Sequence, residues 1–283
     1  MKILILGHKG MLGTDLMARL GHRHEVTGKD LDDFDLASAE SCRDLIMEIQ
    51  PRVVVNAAAY TDVDGCETQR DACMAVNAGG VKNIAAVAEE IGAKVVHFST
   101  DYVFDGAKKE PYLEEDPTSP LNVYGHSKLE GENLLRSSAA RFILIRTAWL
   151  YGVHGKNFVK TIIQKAQTEK RLRVVDDQVG APTFAWDLAG AVMELIDGNH
   201  AGVFHVTNRG TCSWYEFACK IVQFRGIPDV DITPIKTEEL PRPALRPRYS
   251  VLNCRKFIDA TGKVMPFWQL ALQECLSKMP AAL

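Results

Sequence analysis

The chain has 283 residues, of which 46% are hydrophobic and 24% charged, and its formal net charge is -3. These are ordinary values for a globular protein, and the near-neutral charge gives no electrostatic basis for binding nucleic acid or an anionic membrane. An anionic small ligand would therefore need a local basic pocket.

Cysteine usage and hydropathy indicate a cytoplasmic protein. The seven cysteines are an odd number and form no Cys-x-x-Cys pair, which indicates reduced thiols in a reducing compartment. Neither Cys nor His shows the spacing of a metal site. No segment approaches the ~20 apolar residues that cross a membrane. We therefore expect no structural metal ion and no membrane partner.

The first predicted element is a short apolar strand that leads into a glycine-rich turn. Residues 3–6 are all apolar, as in a central parallel strand covered on both faces. Gly7, Gly10 and Gly13 follow, and a helical pattern begins at Met11. A strand, a glycine-rich turn and a helix place a pyrophosphate at the helix N-terminus. The sequence predicts a dinucleotide site, although the spacing is Gly-x-x-Gly-x-x-Gly rather than Gly-x-Gly-x-x-Gly.

The next two predicted strands end in residues that suit the same ligand. The second strand ends at Asp30, and an acid there usually binds the adenosine ribose hydroxyls of NAD. Lys29 beside it would instead tolerate the 2′-phosphate of NADP, so NADH and NADPH both remain open. The third strand occupies residues 51–56, and Ala57, Ala58 and Ala59 follow it. Such small residues allow the close approach of a flat ligand.

The fourth predicted strand and the helix after it carry the candidate catalytic groups. Residues 94–99 form the strand, and Thr100 follows at its carboxyl end, where ligands bind in doubly wound sheets. Tyr124 and Lys128 are four residues apart, which places both on one face of a helix. A free tyrosine has a pKa near ~10, and a neighbouring ammonium lowers it. Such a phenol can act as general acid or base in a carbonyl–alcohol interconversion.

Several other polar residues have simpler interpretations. His126 lies between Tyr124 and Lys128 but points elsewhere on the helix, so we interpret it as a surface residue. His97 lies inside an apolar strand, which is typical of a core histidine. Asp62 and Asp64 suit capping or loop roles better than a metal pair.

The order of the elements predicts an α/β fold with a Rossmann-like, doubly wound parallel sheet and a smaller C-terminal substrate-binding domain. About five β–α repeats fill residues 1–150, the predicted NAD(P)-binding domain. Residues 151–283 form mainly the substrate-binding domain. The two are interleaved, because a segment near residues 171–198 is expected to return to the first domain.

The sequence resembles the extended short-chain dehydrogenase/reductases, and within them the dTDP-4-dehydrorhamnose reductase family. The resemblance covers essentially the full length. Tyr-x-x-x-Lys is common to the superfamily, whereas Ser-Thr-Asp-Tyr-Val-Phe-Asp-Gly and Gln-x-Gly-x-Pro-Thr are specific phrases. The matching phrases occupy residues 7–13, 55–64, 98–106, 120–125, 127–132, 149–152 and 178–183.

This resemblance implies a reaction and roles for named residues. A nicotinamide cofactor, NADPH or NADH, would deliver hydride to the C4 ketone of dTDP-4-dehydro-6-deoxy-L-mannose. Tyr124 would give a proton to the developing alkoxide, Lys128 would hold the nicotinamide ribose, and Thr100 would bond the reacting oxygen. Asp101 and Trp149 match substrate-contacting positions, as does Thr100.

The resemblance also implies cofactor contacts and an assembly. Cofactor contacts fall on Gly7, Gly10, Met11, Leu12, Gly13, Asp30, Asp35, Leu36, Ala57, Ala58, Ala59, Tyr124 and Lys128. Some members hold Mg²⁺ through glutamates at a homodimer interface, and Asp15 lies near one such acid, which is thin support. Two phrases depart from the family pattern, at residues 35–38 and 252–253, and neither includes the proposed acid.

Three alternatives remain at this stage. The chain would fit a reductase of another nucleotide-linked 4-keto-6-deoxysugar, a distinction that depends on pocket shape. It would also fit a non-catalytic, cofactor-binding regulatory subunit, although the presence of Thr100, Tyr124 and Lys128 together argues against this. A sugar-nucleotide epimerase has the same fold but consumes no net cofactor.

Overall fold

A computed structural model describes residues 1–280, so the last three residues of the predicted second domain lie outside the described part. Helices and strands alternate regularly through the first half of the chain. They are β1 (Lys2–Leu6), α1 (Met11–Gly21), β2 (Glu25–Lys29), α2 (Ala39–Ile49), β3 (Val53–Asn56), α3 (Gly65–Thr68), α4 (Arg70–Met74), α5 (Gly80–Ile91), β4 (Lys94–Thr100), α6 (Val123–Ser137) and β5 (Arg141–Thr147). A π-helical turn joins α4 to α5, and a 3-10 turn at Asp101–Val103 follows β4.

The second half has shorter strands between its helices. They are β6 (Leu150–Tyr151), α7 (Phe158–Thr168), β7 (Arg171–Val175), β8 (Val179–Gly180), β9 (Thr183–Phe184), α8 (Ala185–Asp197), β10 (Gly202–His205), β11 (Cys212–Ser213), α9 (Trp214–Arg225), β12 (Asp231–Ile235), α10 (Arg255–Thr261) and α11 (Trp268–Lys278). A 3-10 turn at Thr237–Glu239 follows β12. None of the helices described in residues 1–280 is long and apolar enough to cross a membrane.

Six parallel strands form the central sheet in the order β10-β5-β4-β3-β1-β2. The predicted doubly wound α/β fold is therefore confirmed. The strand order reverses between β1 and β3, because β2 lies on one side of β1 and all later strands lie on the other. In such sheets the ligand crevice forms at this reversal, outside the carboxyl ends of the strands. The turn after β1 and the alanines after β3 border that crevice.

Both faces of the sheet are covered by helices. On one face, α1 and α8 pack over apolar residues that include Ile3, Ile5 and Val55. On the other, α2 and α5 pack over Leu4, Leu6 and Val54. The continuous apolar runs of β1 and β3 thus reflect burial on two sides.

A second unit is built from the later part of the chain, with its own apolar core around Tyr151, Phe217 and Trp268. Here β7 pairs with β12 in a separate two-stranded sheet. Arg171 and Arg173 of β7 are exposed, so this strand does not have the two covered faces that the main sheet requires. The return to the main sheet is made by α8, which lies within the predicted segment near residues 171–198, and by β10, which follows that segment.

Candidate active site

The glycine turn after β1 is packed too closely for larger side chains. Gly7 has φ +82°, and a Cβ on Gly7 would lie 2.8 Å from the backbone nitrogen of Ala58. A Cβ on Gly13 would lie 2.0 Å from the carbonyl oxygen of Gly7. Helix α1 begins at Met11, and no side chain caps its first turn. The free N–H groups at this helix start fit a pyrophosphate.

Asp30 lies beside this turn at the carboxyl end of β2. Its carboxylate accepts hydrogen bonds from the backbone N–H groups of Lys9, at 2.8 Å, and Leu31, at 2.9 Å. The neighbouring Lys29 points toward Asp33, with 3.4 Å between Nζ and Oδ1. Asp30 is thus held in a fixed position next to the glycine turn, as a ribose-binding acid requires.

Two further sets of predicted cofactor contacts follow β3 and β2. Ala57, Ala58 and Ala59 are half-buried where β3 ends, and they form a wall of the crevice. Asp35 is exposed and accepts a hydrogen bond from the N–H of Ala37. Leu36 is 3% exposed and packs in the core, where it lies against Gly80.

Helix α6 is fitted closely against the turn that follows β4. The Asn122 side chain caps α6 by accepting a hydrogen bond from the N–H of Gly125 at 2.7 Å. A Cβ on Gly125 would lie 2.3 Å from the carbonyl oxygen of Tyr102. This close approach brings Tyr124, in the first turn of α6, to the end of β4 that carries Thr100.

Thr100 and Asp101 are buried and bonded to each other. The hydroxyl of Thr100 donates to Oδ1 of Asp101 at 3.0 Å and accepts from the N–H of Tyr102 at 3.2 Å. Burial raises the pKa of Asp101 to about 6. The structure thus brings the predicted catalytic hydroxyl and a predicted substrate-contacting acid together beside Tyr124.

The pKa of Tyr124 is raised, chiefly by burial and then by the nearby Asp101 carboxylate. A hydrogen bond with Thr100 opposes this shift. The prediction that Lys128 lowers the pKa of Tyr124 is therefore wrong for this structure, because burial acts more strongly on the phenol. A phenol that keeps its proton at neutral pH remains suited to donate one.

Lys128 lies in the interior rather than on the helix surface. The residue is 3% exposed, and its Nζ is 3.4 Å from Nε2 of His97 on β4. Burial lowers the pKa of Lys128 to about 8. His126 is exposed, as predicted. His97 is buried as predicted, but its contact with Lys128 was not predicted from sequence, since periodicity indicates burial and not the neighbouring residue.

Trp149 has φ +48°, an uncommon backbone conformation for a bulky residue. Its ring stacks on Trp214 of α9, with 3.6 Å between centroids and 8° between planes. Gly180 fits against this ring, because a Cβ there would lie 2.4 Å from it. The Gln-x-Gly-x-Pro-Thr phrase thus packs against Trp149.

A cavity of about 800 Å³ opens in the second unit. Its lining includes Tyr102, whose ring meets that of Tyr124 edge to face with 6.0 Å between centroids. Trp214 and Phe158 also line it. Its basic residues are Lys165, Arg173, Arg242, Arg246 and Arg248. Two acids, Glu169 and Glu238, also line it, so its basic residues outnumber its acidic ones five to two. Through Tyr102 the cavity adjoins the predicted catalytic tyrosine.

Asp62 and Asp64, interpreted from the sequence as capping or loop acids, and Asp15, which lies near a family metal ligand, all have protein neighbours. Asp64 pairs with Arg246 at 3.0 Å and with Arg242 at 3.2 Å, while Asp62 accepts a hydrogen bond from the N–H of Gly65. Asp15 lies 3.8 Å from His154. Within residues 1–280, no three Cys, His, Asp or Glu side chains are grouped as a metal site would need. The Mg²⁺ prediction therefore gains no support.

The doubly wound sheet, the glycine turn at its reversal and the Tyr-x-x-x-Lys helix define a member of the extended short-chain dehydrogenase/reductase class. More narrowly, the chain belongs to the RmlD substrate binding domain family, which matches residues 1–280. The predicted family resemblance is thereby confirmed.

Individual relatives match the chain over nearly its full length. The chain is 41% identical to the spore coat polysaccharide biosynthesis protein SpsK of Bacillus subtilis, over 99% of each chain. It is 46% identical to the crystal structure of a dTDP-4-dehydrorhamnose reductase from Clostridium acetobutylicum, with TM-score 0.94 over 98% of this chain and 99% of that one. It is 36% identical to the dTDP-4-dehydrorhamnose reductase of Bacillus anthracis in complex with NADP, with TM-score 0.95 over 98% and 99%.

Proposed function

We propose that the protein is a dTDP-4-dehydrorhamnose reductase. It reduces the C4 ketone of dTDP-4-dehydro-6-deoxy-L-mannose and yields dTDP-L-rhamnose. The observation that carries this proposal is the Thr100–Tyr124 pair beside the cavity, to which Tyr102 joins it. The glycine turn after β1 lies at the same carboxyl edge of the parallel sheet. Two relatives of the same name and nearly the same fold support the choice of substrate.

The cofactor is proposed to lie in the crevice at the sheet reversal. The N-terminus of α1 receives its pyrophosphate, Asp30 receives the adenosine ribose, and Ala57, Ala58 and Ala59 form a wall. When bound, a reduced nicotinamide supplies hydride. The Bacillus anthracis relative binds NADP, while Asp30 suits NADH, so both cofactors belong in the test.

The substrate is proposed to span both units. Its diphosphate is an anion, and the basic side chains of the cavity neutralise it. Trp149 and Asp101 border the sugar, whose C4 oxygen faces Thr100 and Tyr124. Thr100 holds this oxygen by a hydrogen bond. Tyr124 gives its proton to the oxygen as negative charge develops there, because hydride and proton must reach opposite ends of one carbonyl.

The direct test mixes the purified protein with the 4-keto sugar nucleotide and either NADPH or NADH. Loss of the reduced-nicotinamide absorbance, together with formation of dTDP-L-rhamnose, is the expected result. Conversion of the sugar without net cofactor loss would identify an epimerase. Cofactor binding without turnover of this or any other nucleotide-linked 4-keto-6-deoxysugar would identify a binding module. Turnover of a different such sugar alone would correct the substrate.

A further inference from the structure

Beneath the predicted catalytic helix, a buried polar chain runs from Asn56 through His97 to Lys128. The three residues are 2%, 1% and 3% exposed, respectively. Nδ2 of Asn56 lies 3.2 Å from Nδ1 of His97, and Nε2 of His97 lies 3.4 Å from Nζ of Lys128. Both ring nitrogens of the histidine are therefore engaged, one by each neighbour.

The backbone that follows β3 fixes the direction of the first hydrogen bond. Oδ1 of Asn56 accepts the N–H of Ala58 at 3.2 Å. If the amide were turned over, its NH₂ group would meet that N–H, and two donors would face each other. Nδ2 therefore donates to His97, and Nδ1 of His97 is an acceptor. A neutral imidazole with an acceptor at Nδ1 carries its hydrogen on Nε2.

The hydrogen on Nε2 then points at Lys128. An amine has a lone pair that accepts an N–H, whereas an ammonium has only donors. The arrangement therefore favours the neutral amine, whereas the ammonium is the form suited to hold a nicotinamide ribose, the role that the family resemblance implies for Lys128. We propose that Asn56 fixes the tautomer of His97, and that His97 is thereby a positioning residue that limits how much of Lys128 is charged in the free enzyme.

Other groups around Lys128 act in the opposite direction. Glu132, one turn along α6, and Cys73 of α4 both favour the charged lysine, but less strongly than burial disfavours it. Burial, and then the neighbouring Lys128, hold the pKa of His97 well below its usual value, so the imidazole stays neutral. The proposal rests on the proposed function only for its catalytic consequence, since the tautomer itself is a property of the fold.

The test uses Asn56→Asp, which is close to isosteric. A carboxylate accepts from both sides, so it keeps the Ala58 bond and requires the hydrogen of His97 on Nδ1. Nε2 then becomes an acceptor for the ammonium. We expect the charged-to-neutral ratio of Lys128 to rise ~10-fold, which moves the alkaline limb of the kcat/KM profile up by ~1 pH unit. Asn133→Asp, the same change on an exposed part of α6, should leave the limb in place.

A second variant keeps the proposal testable if Asn56→Asp does not fold. In His97→Gln the side-chain amide reaches the Nε2 position and can turn its oxygen toward Lys128, so the limb should again move upward. The new carboxylate of Asn56→Asp also attracts the Lys128 ammonium directly, whereas His97→Gln adds no charge. Lost activity with an unmoved limb in folded His97→Gln, or an unchanged profile in both variants, would overturn the proposal, because a merely structural histidine gives those results in His97→Gln.

A readout without turnover separates this proposal from the proposed function. ¹⁵N NMR of histidine-labelled protein, with the His97 signals assigned by their loss in His97→Gln, reports which ring nitrogen carries the hydrogen. We expect the Nε2–H form in the native protein and the Nδ1–H form in Asn56→Asp. An Nδ1–H form in the native protein would overturn the proposal even if the sugar is reduced as proposed. Failed sugar reduction would leave this measurement intact.

Discussion

Two buried charged groups lie one turn apart on α6 and have opposite surroundings. Glu132 is fully buried, and both of its oxygens bind Arg146 of β5, at 2.9 and 2.7 Å. Lys128 is almost as buried, but its nearest partner is the uncharged His97 at 3.4 Å. A buried charge with a bonded partner of opposite charge fixes structure, whereas Lys128, whose nearest acid Glu132 is bonded to Arg146, stays poised to lose or gain a proton.

The Glu132–Arg146 pair also anchors the loop that precedes α6. Nη1 of Arg146 donates to the carbonyl oxygen of Glu114 and lies 3.4 Å from Nε2 of His205. The N–H of His205 in turn donates to the Glu114 carboxylate at 2.9 Å. This network joins α6, β5, β10 and the loop at Glu114, so it holds α6 against the sheet.

The largest expected effect is on stability and comes from breaking the Glu132–Arg146 pair. Glu132→Gln leaves Arg146 charged and buried with a weaker partner, and we expect the free energy of unfolding to fall by about 3–5 kcal/mol. Urea unfolding measures this change. Asp259→Asn, which breaks the exposed pair with Arg255, should cost less than ~1 kcal/mol. Equal small losses in the two variants would contradict the structural role assigned to the Glu132–Arg146 pair.

At the proposed active site, Tyr124→Phe removes the proposed acid without removing the ring. We expect kcat for sugar reduction to fall by ~10² or more, the scale of lost general acid catalysis, while cofactor affinity persists. Steady-state kinetics and a cofactor titration measure the two quantities. Tyr215→Phe on α9 serves as the control and should keep native turnover. Full activity in Tyr124→Phe would remove Tyr124 from its assigned role.

A smaller effect is expected in the cavity. Arg246→Ala removes a cation that lines it, so KM for the sugar nucleotide should rise ~10-fold with kcat little changed, as expected when substrate and transition state lose the same binding energy. Arg255→Ala removes a more exposed arginine outside the cavity and should leave KM unaltered. If both variants bind the substrate like the native protein, the diphosphate does not lie where we propose.

The smallest effect concerns pH. Burial lowers the pKa of Lys128 to about 8, so the charged fraction falls as the pH rises through that value. If the ammonium is the active form, kcat/KM should fall above about pH 8. The pH profile of the native enzyme checks this. A profile that stays flat up to the ordinary lysine pKa of ~10.4 would show that Lys128 is not limiting in the free enzyme.

The sequence was sufficient for the fold because the main strands carry a strong physical pattern. Runs such as those of β1 and β3 are apolar at every position but one, as burial on two faces requires. Family phrases also located Thr100, Tyr124 and Lys128. The structure brings Thr100 and Tyr124 together at one end of the sheet, while their catalytic roles stay predictions.

Contacts between segments that are distant along the chain could not be predicted from the sequence. The Lys128–His97 contact joins residues 31 positions apart, and the Asp64–Arg246 pair joins residues 182 apart. Periodicity reports which side of an element is buried, not which neighbour it meets. For the same reason the alternating pattern of β7 did not identify β12 as its partner.

The most direct test of the account follows a labelled hydride. The native enzyme is given the 4-keto sugar nucleotide and a nicotinamide cofactor deuterated at the transferred position, and the product is examined by NMR and mass spectrometry. The account predicts dTDP-L-rhamnose with deuterium at C4 and one cofactor oxidised for each sugar reduced. A product without deuterium at C4, or no product from folded protein with either cofactor, would contradict it.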